Sequence, residues 1–232
     1  MLAKSLPCKI LRKHADKLLQ IEAVLFGQAG FLEDDPVDDY SQLLQREFLL
    51  LTRKYSLLER RLNKAQWKLL RLRPANFPTM RLAQLSAFIA SQQNIYSSLI
   101  SANDYATLTK LLDVETSAYW KHHYLFGKKI EGTIPSIGKM SIDNIIINTV
   151  IPLLVATGKM HDNQAQIDKA INILQSISSE ENVIIKKWNA VGIKTKAAAD
   201  SQGLLELYNN FCLRKRCLDC NIGSALIRPT PS

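Results

Sequence analysis

Glycine and proline are scarce in this sequence of 232 residues, which contains nine glycines and eight prolines. Many short strands joined by tight turns need more of both residue types, so the composition argues against an all-β fold. Aromatic residues are also few, at 7%. Hydrophobic residues (47%) and charged residues (22%) are at ordinary globular levels, which predicts an ordered chain with one substantial core.

No apolar run in the sequence is long enough to indicate a membrane span. The longest, at 145–158 (IIINTVIPLLVATG), has 14 residues and includes Asn148, whereas a span needs about 20 residues. We therefore predict a buried central helix that Pro152 bends. The opening residues MLAKSLPCKI lack the apolar segment and cleavage site of a secretory signal. We expect a cytoplasmic location and no membrane partner.

Apolar residues recur at helical spacing along most of the chain. The predicted helices cover 9–26, 39–55, 67–73, 78–89, 95–100, 104–112, 141–156, 163–177, 179–191 and 197–212. Asn76 is the expected cap of the helix that begins near Pro78. No strand pair is evident. We predict an all-α fold for residues 1–232, an irregular multi-helix globular domain around the central helix with a C-terminal cysteine-rich loop.

The net charge of +9 is concentrated in one part of the chain. Residues 41–81, here called the basic segment, contain ten arginines and lysines and only two acidic residues. Such a stripe is typical of proteins that bind a nucleic-acid backbone, and an aromatic ring within it can stack on a base. The residues predicted to bind nucleic acid here are Arg60, Arg61, Lys64, Trp67, Lys68, Arg71, Arg73 and Arg81.

Two other interpretations of the basic segment stay open. Its long side chains are also consistent with a solvated helix face that covers apolar surface. Alternatively, its cations pair within the molecule with an acidic loop made of Glu33, Asp34, Asp35, Asp38 and Asp39. Nothing in the basic segment reads base sequence, so the predicted contact is to the backbone alone.

Three of the four cysteines lie close together with the spacing C-x4-C-x2-C; they are Cys212, Cys217 and Cys220. This grouping does not resemble a disulfide framework. A gap of two residues lets two thiolates bind one ion, so the spacing predicts a structural metal, zinc ahead of an iron–sulfur cluster. The candidate fourth ligands are Cys8, His122, His123 and His161. The alternative is that these thiols are small buried side chains under the last helix.

Five segments of the chain together resemble a known family. They are IEAVLFGQAG (21–30), WKLLRLRPANFPTMRLAQL (67–85), YWKHHYLFGK (119–128), IIINTVIPLL (145–154) and DSQGLLELYNNFCLRKRCLDCNIG (200–223). The family is domain-of-unknown-function family 2851, a bacterial family typical of Bacteroidetes. The resemblance implies no activity. It implies that this chain is the helical C-terminal part of a longer protein, with an N-terminal domain as its partner.

Residues 134–150 (IPSIGKMSIDNIIINTV) resemble the hairpin of the helix-hairpin-helix DNA glycosylases. In those enzymes a tight turn presents backbone N–H groups to a DNA phosphate. The resemblance implies that Gly138 and Lys139 contact nucleic acid. It also adds a divergent DNA-repair protein as a remote alternative, although Ser136 replaces the first glycine and Asp162 lies several residues later than the catalytic aspartate of those enzymes.

Sequence motifs for common catalytic sites are absent. There is no phosphate-binding loop, dinucleotide motif, zinc-protease motif or nucleophile elbow, so no residues indicate a catalytic site. We expect a helical module that binds nucleic-acid backbone and holds a structural cysteine-ligated metal. The alternative is a non-catalytic structural or interaction half of a larger two-part protein, with its basic face against an acidic protein surface.

Overall fold

The computed structural model describes residues 2–57, 61–92 and 94–227. Helix accounts for 62% of the structure and strand for 3%, which confirms the all-α prediction. The chain divides into two compact units, Met1–Ala102 with Leu108–Ile142 and Asn103–Thr107 with Asp143–Ser232. Compact units of this kind also occur within one domain, so the single domain over residues 1–232 stays a prediction.

The first unit consists of helices and a small hairpin. Its helices are α1 (Leu2–Ser5), α2 (Cys8–Lys13), α3 (Leu18–Gln28), α4 (Asp39–Tyr55), α5 (Pro78–Ser91) and α6 (Ile95–Ser101), followed by α7 (Tyr105–Leu112), which crosses the boundary between the units. Short 3-10 turns lie at Lys64–Gln66 and Pro74–Asn76. Strands β1 (His123–Leu125) and β2 (Lys128–Lys129) are antiparallel, with His123 opposite Lys129.

Helix α3 is the centre of the core of the first unit. It packs against both α4 and α5, and its residues from Ile21 to Gln28 are all buried. Burial on several sides explains why this segment is apolar without a clear amphipathic period. Helices α3 and α4 are in close contact at Gly27. A Cβ atom added at this position would lie 2.3 Å from the ring of Phe48, so the ring occupies the space that a side chain would need.

Helix α4 has the bounds that the sequence predicts. Asp38 caps it by accepting a hydrogen bond from the backbone N–H of Ser41 (2.7 Å), while the Ser41 hydroxyl accepts from the backbone N–H of Asp38 (3.1 Å). This reciprocal cap satisfies two backbone donors that a helix start otherwise leaves free. After Tyr55 the chain leaves the helix through Ser56, which has a left-handed φ of 53°.

The second unit is a helical array. Its helices are α8 (Lys139–Ile145, which begins before the unit boundary), α9 (Ile151–Met160), α10 (Gln164–Ser176), α11 (Val183–Ala190), α12 (Ala198–Leu207) and α13 (Asn221–Ile227). Helix α10 packs against α9 and α12, and α11 also packs against α12. The buried side chains of this unit include Leu154, Ile173 and Ile185.

A π turn at Ile146–Val150 joins α8 to α9 just before Pro152. Proline has no N–H to donate, and its ring clashes with the carbonyl four residues earlier in a regular helix. The helix accommodates it by a wider turn, in which the N–H of Ile151 donates to the carbonyl of Ile146. The sequence analysis predicts a bend at Pro152, and what the structure has there is a change of hydrogen-bond register.

The stretch Lys139–Met160 is 22 residues long with a mean hydropathy of 1.5, and it is long and apolar enough to cross a membrane. Only 33% of its most apolar stretch is buried inside the protein, so this helix is less buried than the sequence analysis predicts. The cytoplasmic location stays a prediction.

Three local predictions were wrong. The helix expected at 9–26 is interrupted between α2 and α3, where His14 bonds to Tyr55 and Gln20. The stretch 67–73 is not helical, and Arg71 has a left-handed φ of 60°. Asn76 does not cap α5, because its side chain accepts a hydrogen bond from Arg81 instead.

The β1–β2 hairpin was not predicted either. Gly127 has a φ of 67° in the turn, a conformation that glycine adopts without strain. Its N–H donates to Asp38 Oδ2 (2.8 Å), a residue 89 positions earlier. The turn is thus held by a distant side chain rather than by its own residues.

Replacing Gly27 with alanine is expected to destabilise the first unit by about 1–3 kcal/mol, because the added methyl group must displace the buried ring of Phe48. Denaturant unfolding measures this. The matched control is Gly203→Ala in α12, where nothing lies within 4 Å of the new Cβ, so alanine should stabilise by about 0.5–1 kcal/mol. Equal effects of the two substitutions would contradict the close approach of α3 and α4.

Candidate nucleic-acid interface

The basic segment is fixed against the end of α3. The backbone N–H of Leu62 donates to the carbonyl of Gln28 (2.8 Å), and the Gln28 side chain donates to the carbonyl of Leu57 (2.7 Å). Gly30 has a φ of 80°, and a Cβ there would lie 2.3 Å from the carbonyl oxygen of Leu62. The chain that carries the cations therefore runs in direct contact with the core.

Two cations of the basic segment pair with the acidic loop. Arg61 Nε lies 2.8 Å from Glu33 Oε1, and Lys64 Nζ lies 2.5 Å from Asp34 Oδ2. Both pairs are partly exposed, so each contributes only about 0–1 kcal/mol to stability. A phosphate has to compete with these carboxylates, which makes Arg61 and Lys64 weaker ligands than unpaired cations.

Arg81 holds parts of the first unit together. Its guanidinium donates to Gln84 Oε1 (3.0 Å), Asn76 Oδ1 (2.9 Å) and Ser141 Oγ (2.9 Å). Partial burial lowers the pKa of Arg81. To reach a phosphate, this side chain would have to break hydrogen bonds that fix the start of α5.

Trp67 is also engaged within the protein. Its indole N–H donates to the carbonyl of Ala29 (2.8 Å), and its ring packs against Phe31 with 5.6 Å between the ring centres. The side chain is half-buried. This geometry favours a role for Trp67 in anchoring the basic segment over stacking on a base.

Three further predicted residues of the basic segment are exposed. Within the ranges that the structure describes, Lys68, Arg71 and Arg73 form neither an ion pair nor a side-chain hydrogen bond. They lie in the stretch between the anchor at Trp67 and the 3-10 turn that starts at Pro74. Arg60 lies outside the described residues. The structure therefore leaves three unpaired cations of the basic segment close together along the chain.

The turn before α8 does not form a helix-hairpin-helix motif. The N–H groups of Ser141 and Ile142 donate to the carbonyl of Gly138 (2.8 and 3.1 Å), as in an ordinary first helical turn. Gly138 and Lys139 are exposed. However, the chain from 113 to 138 contains the β1–β2 hairpin and irregular segments but no helix, so the first helix of that motif is missing.

The three clustered cysteines differ in exposure. Cys212 and Cys217 are exposed, whereas Cys220 is only 7% exposed. Among the residues with described positions, no three His, Cys, Asp or Glu side chains are grouped so that they can hold a metal ion. The zinc or iron–sulfur centre stays a prediction from spacing alone.

The other candidate ligands have varied surroundings. His122 and His123 use Nδ1 in hydrogen bonds with the carbonyls of Gly132 (2.8 Å) and Tyr119 (2.9 Å). Cys8 and His161 are exposed. None of these contacts indicates a fourth ligand for the cysteines.

If the cysteines hold zinc, protein purified without chelator should contain about one equivalent of the metal per chain. Metal analysis measures this content directly. The variant C217S/C220S should then lose the metal, because these two cysteines have the spacing that lets both bind one ion. A zinc or iron content below roughly a tenth of an equivalent in the unmodified chain would exclude the centre.

A buried polar network in the first unit was missed by the sequence analysis. Glu22 is fully buried in α3 and accepts a hydrogen bond from the hydroxyl of Tyr40, which lies 3.0 Å from Ser117 Oγ. The Tyr40 ring stacks on Tyr119 with 4.2 Å between centres, and the Tyr119 hydroxyl donates to Asp38. The signal in the sequence is one carboxyl group inside the apolar run IEAVLF.

Burial raises the pKa of Glu22 to about 7, although hydrogen bonds with Tyr40, Ser117 and Trp120 oppose the rise. Glu22 Oε1 and Trp120 Nε1 lack a well-formed hydrogen bond within the described part of the chain, so the indole offsets little of the burial. Burial, reinforced by Glu22, also raises the pKa of Tyr40 above its usual range. Glu22 is therefore partly protonated near neutral pH.

A cavity of about 220 Å³ lies beside the acidic loop. Its apolar lining includes Phe31, Leu69 and Phe126, and its charged lining includes Asp34, which is paired with Lys64. Ligand pockets usually have at least about 300 Å³, and Glu22 does not line this cavity. The carboxyl group of Glu22 is thus buried in the core and does not face this cavity.

Glu22→Gln is expected to remove a pH dependence from the stability of the first unit. The folded pKa of Glu22 is raised, so its contribution is present below its unfolded pKa of about 4.5 and is lost as the pH rises through 7. Relative to the variant, the wild type should lose about 2–3 kcal/mol of unfolding free energy between pH 5 and 8. Denaturant titrations at both pH values test this, and a difference independent of pH would contradict it.

Comparison with known proteins gives a family and no activity. A family model described as "Protein of unknown function (DUF2851)" matches residues 1–183, which confirms the resemblance found in the sequence over that range. The three clustered cysteines lie beyond the matched range. No curated protein and no solved structure matches the chain.

Proposed function

Because the chain belongs to DUF2851, a family of proteins of unknown function, we propose its function from its own surface: it is a helical module that binds the phosphate backbone of nucleic acid. The observation that carries this proposal is the exposed stretch with Lys68, Arg71 and Arg73, which have no partner within the described ranges. Unpaired cations attract phosphate without first giving up an existing ion pair.

The stretch with Lys68, Arg71 and Arg73 is anchored at both ends, and this supports phosphate binding. The chain is anchored before it by the hydrogen bond from Trp67 to Ala29, and after it by the contact of Arg81 with Asn76. Residues held by a rigid support lose less conformational entropy when they bind, so the cations between the anchors can contact a phosphate at lower cost. In this proposal Trp67 and Arg81 position the site, and they do not contact the ligand.

The formal charge of +9 supports the same function at longer range. A net positive charge draws a polyanion toward the protein and raises the rate of encounter. The free groups are arginine and lysine side chains on irregular chain, and no helix or strand carries them toward base edges. We therefore propose backbone binding that is independent of base sequence.

The wild-type chain should bind an oligonucleotide at low ionic strength and lose most of this affinity between about 50 and 200 mM salt, as fluorescence anisotropy can measure. The variant K68Q/R71Q/R73Q should weaken binding at least tenfold and reduce the slope of log K against log salt by about two. The reason is that these side chains would no longer release counterions from the phosphates.

The matched control is K186Q/K187Q/K194Q, which removes the same charge from exposed lysines of the second unit. It should change the affinity by less than about threefold, because only the general attraction is reduced. Absence of salt-sensitive binding in the wild type would reject the proposal, and equal effects of the two variants would reject the assignment to residues 68–73.

A second candidate function is a non-catalytic interaction half, and one observation favours it. Helix α13 has no buried residue, and Leu226 is 82% exposed, with Ile222 and Ile227 on the same short helix. Leu213 and Leu218 are exposed nearby in sequence. An exposed apolar set of this kind suits a protein partner.

A further inference from the structure

A second group of unpaired cations surrounds Tyr55, outside the residues that the proposed function uses. Lys13 Nζ lies 5.8 Å and Lys54 Nζ lies 5.4 Å from the centre of the Tyr55 ring. The two lysines belong to the last turns of different helices, α2 and α4. The fold therefore brings two ammonium groups from distant parts of the sequence to one aromatic ring.

The hydroxyl of Tyr55 is hydrogen-bonded to a buried histidine. Its hydroxyl lies 3.0 Å from His14 Nε2, and His14 Nδ1 lies 2.6 Å from Gln20 Oε1. Because Gln20 Oε1 only accepts, Nδ1 carries the proton, and in the neutral ring Nε2 accepts from the tyrosine. Gln20 in turn donates to Glu47 (3.3 Å), so a chain of hydrogen bonds ties the ring to α3 and α4.

No described carboxylate forms an ion pair with these cations. Among the described residues, Lys13 and Lys54 form no ion pair, and neither do the adjacent exposed residues Arg12 and Arg53. Glu47 of α4 accepts a hydrogen bond from the neutral amide of Gln20 (3.3 Å), which leaves its negative charge in place. The ends of two helices and the face of a tyrosine stabilise a cation by only about 0.3–1 kcal/mol each, so this group of four cations keeps a net positive charge.

We propose that Lys13 and Lys54, placed by Tyr55 and His14, form a phosphate site that holds one phosphodiester group of the bound nucleic acid. This inference rests on the proposed function and adds a contact to it. A phosphate between the ammonium groups reduces the repulsion of like charges that the fold has brought together. Both ammonium groups lie within 5.8 Å of the ring centre, so we expect this site to contact the backbone and not to stack on a base.

The test is oligonucleotide binding by the full chain with K13Q/K54Q, compared with K110Q/K129Q. The control removes the same charge from exposed lysines of the same unit that lie on α7 and β2. K13Q/K54Q should lower the affinity at least about tenfold more than the control and reduce the salt slope by about one, since one phosphate contact is lost. K13R/K54R keeps both charges and should bind within about threefold of wild type.

Acetylation of lysine amines in the wild-type chain gives a second measurement that needs no variant. Mass spectrometry should show that the oligonucleotide protects Lys13 and Lys54 several-fold, whereas Lys110 and Lys129 stay equally reactive. Addition of inorganic phosphate in place of the oligonucleotide should protect the same pair only at much higher concentration, because a single phosphate lacks the contacts of the chain.

The failures of the two proposals are distinguishable. If the wild type binds the oligonucleotide but K13Q/K54Q behaves like K110Q/K129Q, with no selective protection, the Tyr55 site is overturned and backbone binding stands. If the wild type shows no salt-sensitive binding, backbone binding and the Tyr55 site fall together.

Discussion

Burial of α3 on several sides is the constraint on which the first unit depends. From Ile21 to Gln28 the helix has no exposed residue, and at Gly27 it admits the ring of Phe48. Its C-terminal end then fixes the following chain, because Gln28 bonds to both Leu57 and Leu62. The position of the basic segment is thus a consequence of how one apolar helix is packed.

The same packing sorts cations that look equivalent in the sequence. Those near the core become structural: Arg81 is held by three hydrogen bonds, and Arg61 is paired with Glu33. Others form no ion pair with any described residue and stay available, as at Arg71 and around Tyr55. Charge density along the chain therefore overstates the number of residues that can contact a phosphate, and it does not show that Lys13 of α2 lies beside Lys54 of α4 at Tyr55.

The site could be predicted only in part for this reason. The spacing of Lys64, Trp67 and Lys68 indicated a basic face, but nothing local shows that Trp67 bonds to Ala29 or that Lys64 meets Asp34. The sequence did contain a clear sign of the buried polar network, which is the position of Glu22 within an apolar run. A carboxyl group inside an apolar helix must be neutralised or paired, and the hydroxyl of Tyr40 provides its main partner.

The sequence by itself determined the helical class, the family and the bounds of α4, because helix periodicity and capping act over a few neighbouring residues. Only the tertiary structure decided the break after α2, the β1–β2 hairpin and which cations are free. Each of these depends on contacts such as His14 with Tyr55, or Gly127 with Asp38, between residues far apart in the chain. A pattern of neighbours carries no record of such contacts, since they arise only when the helices pack.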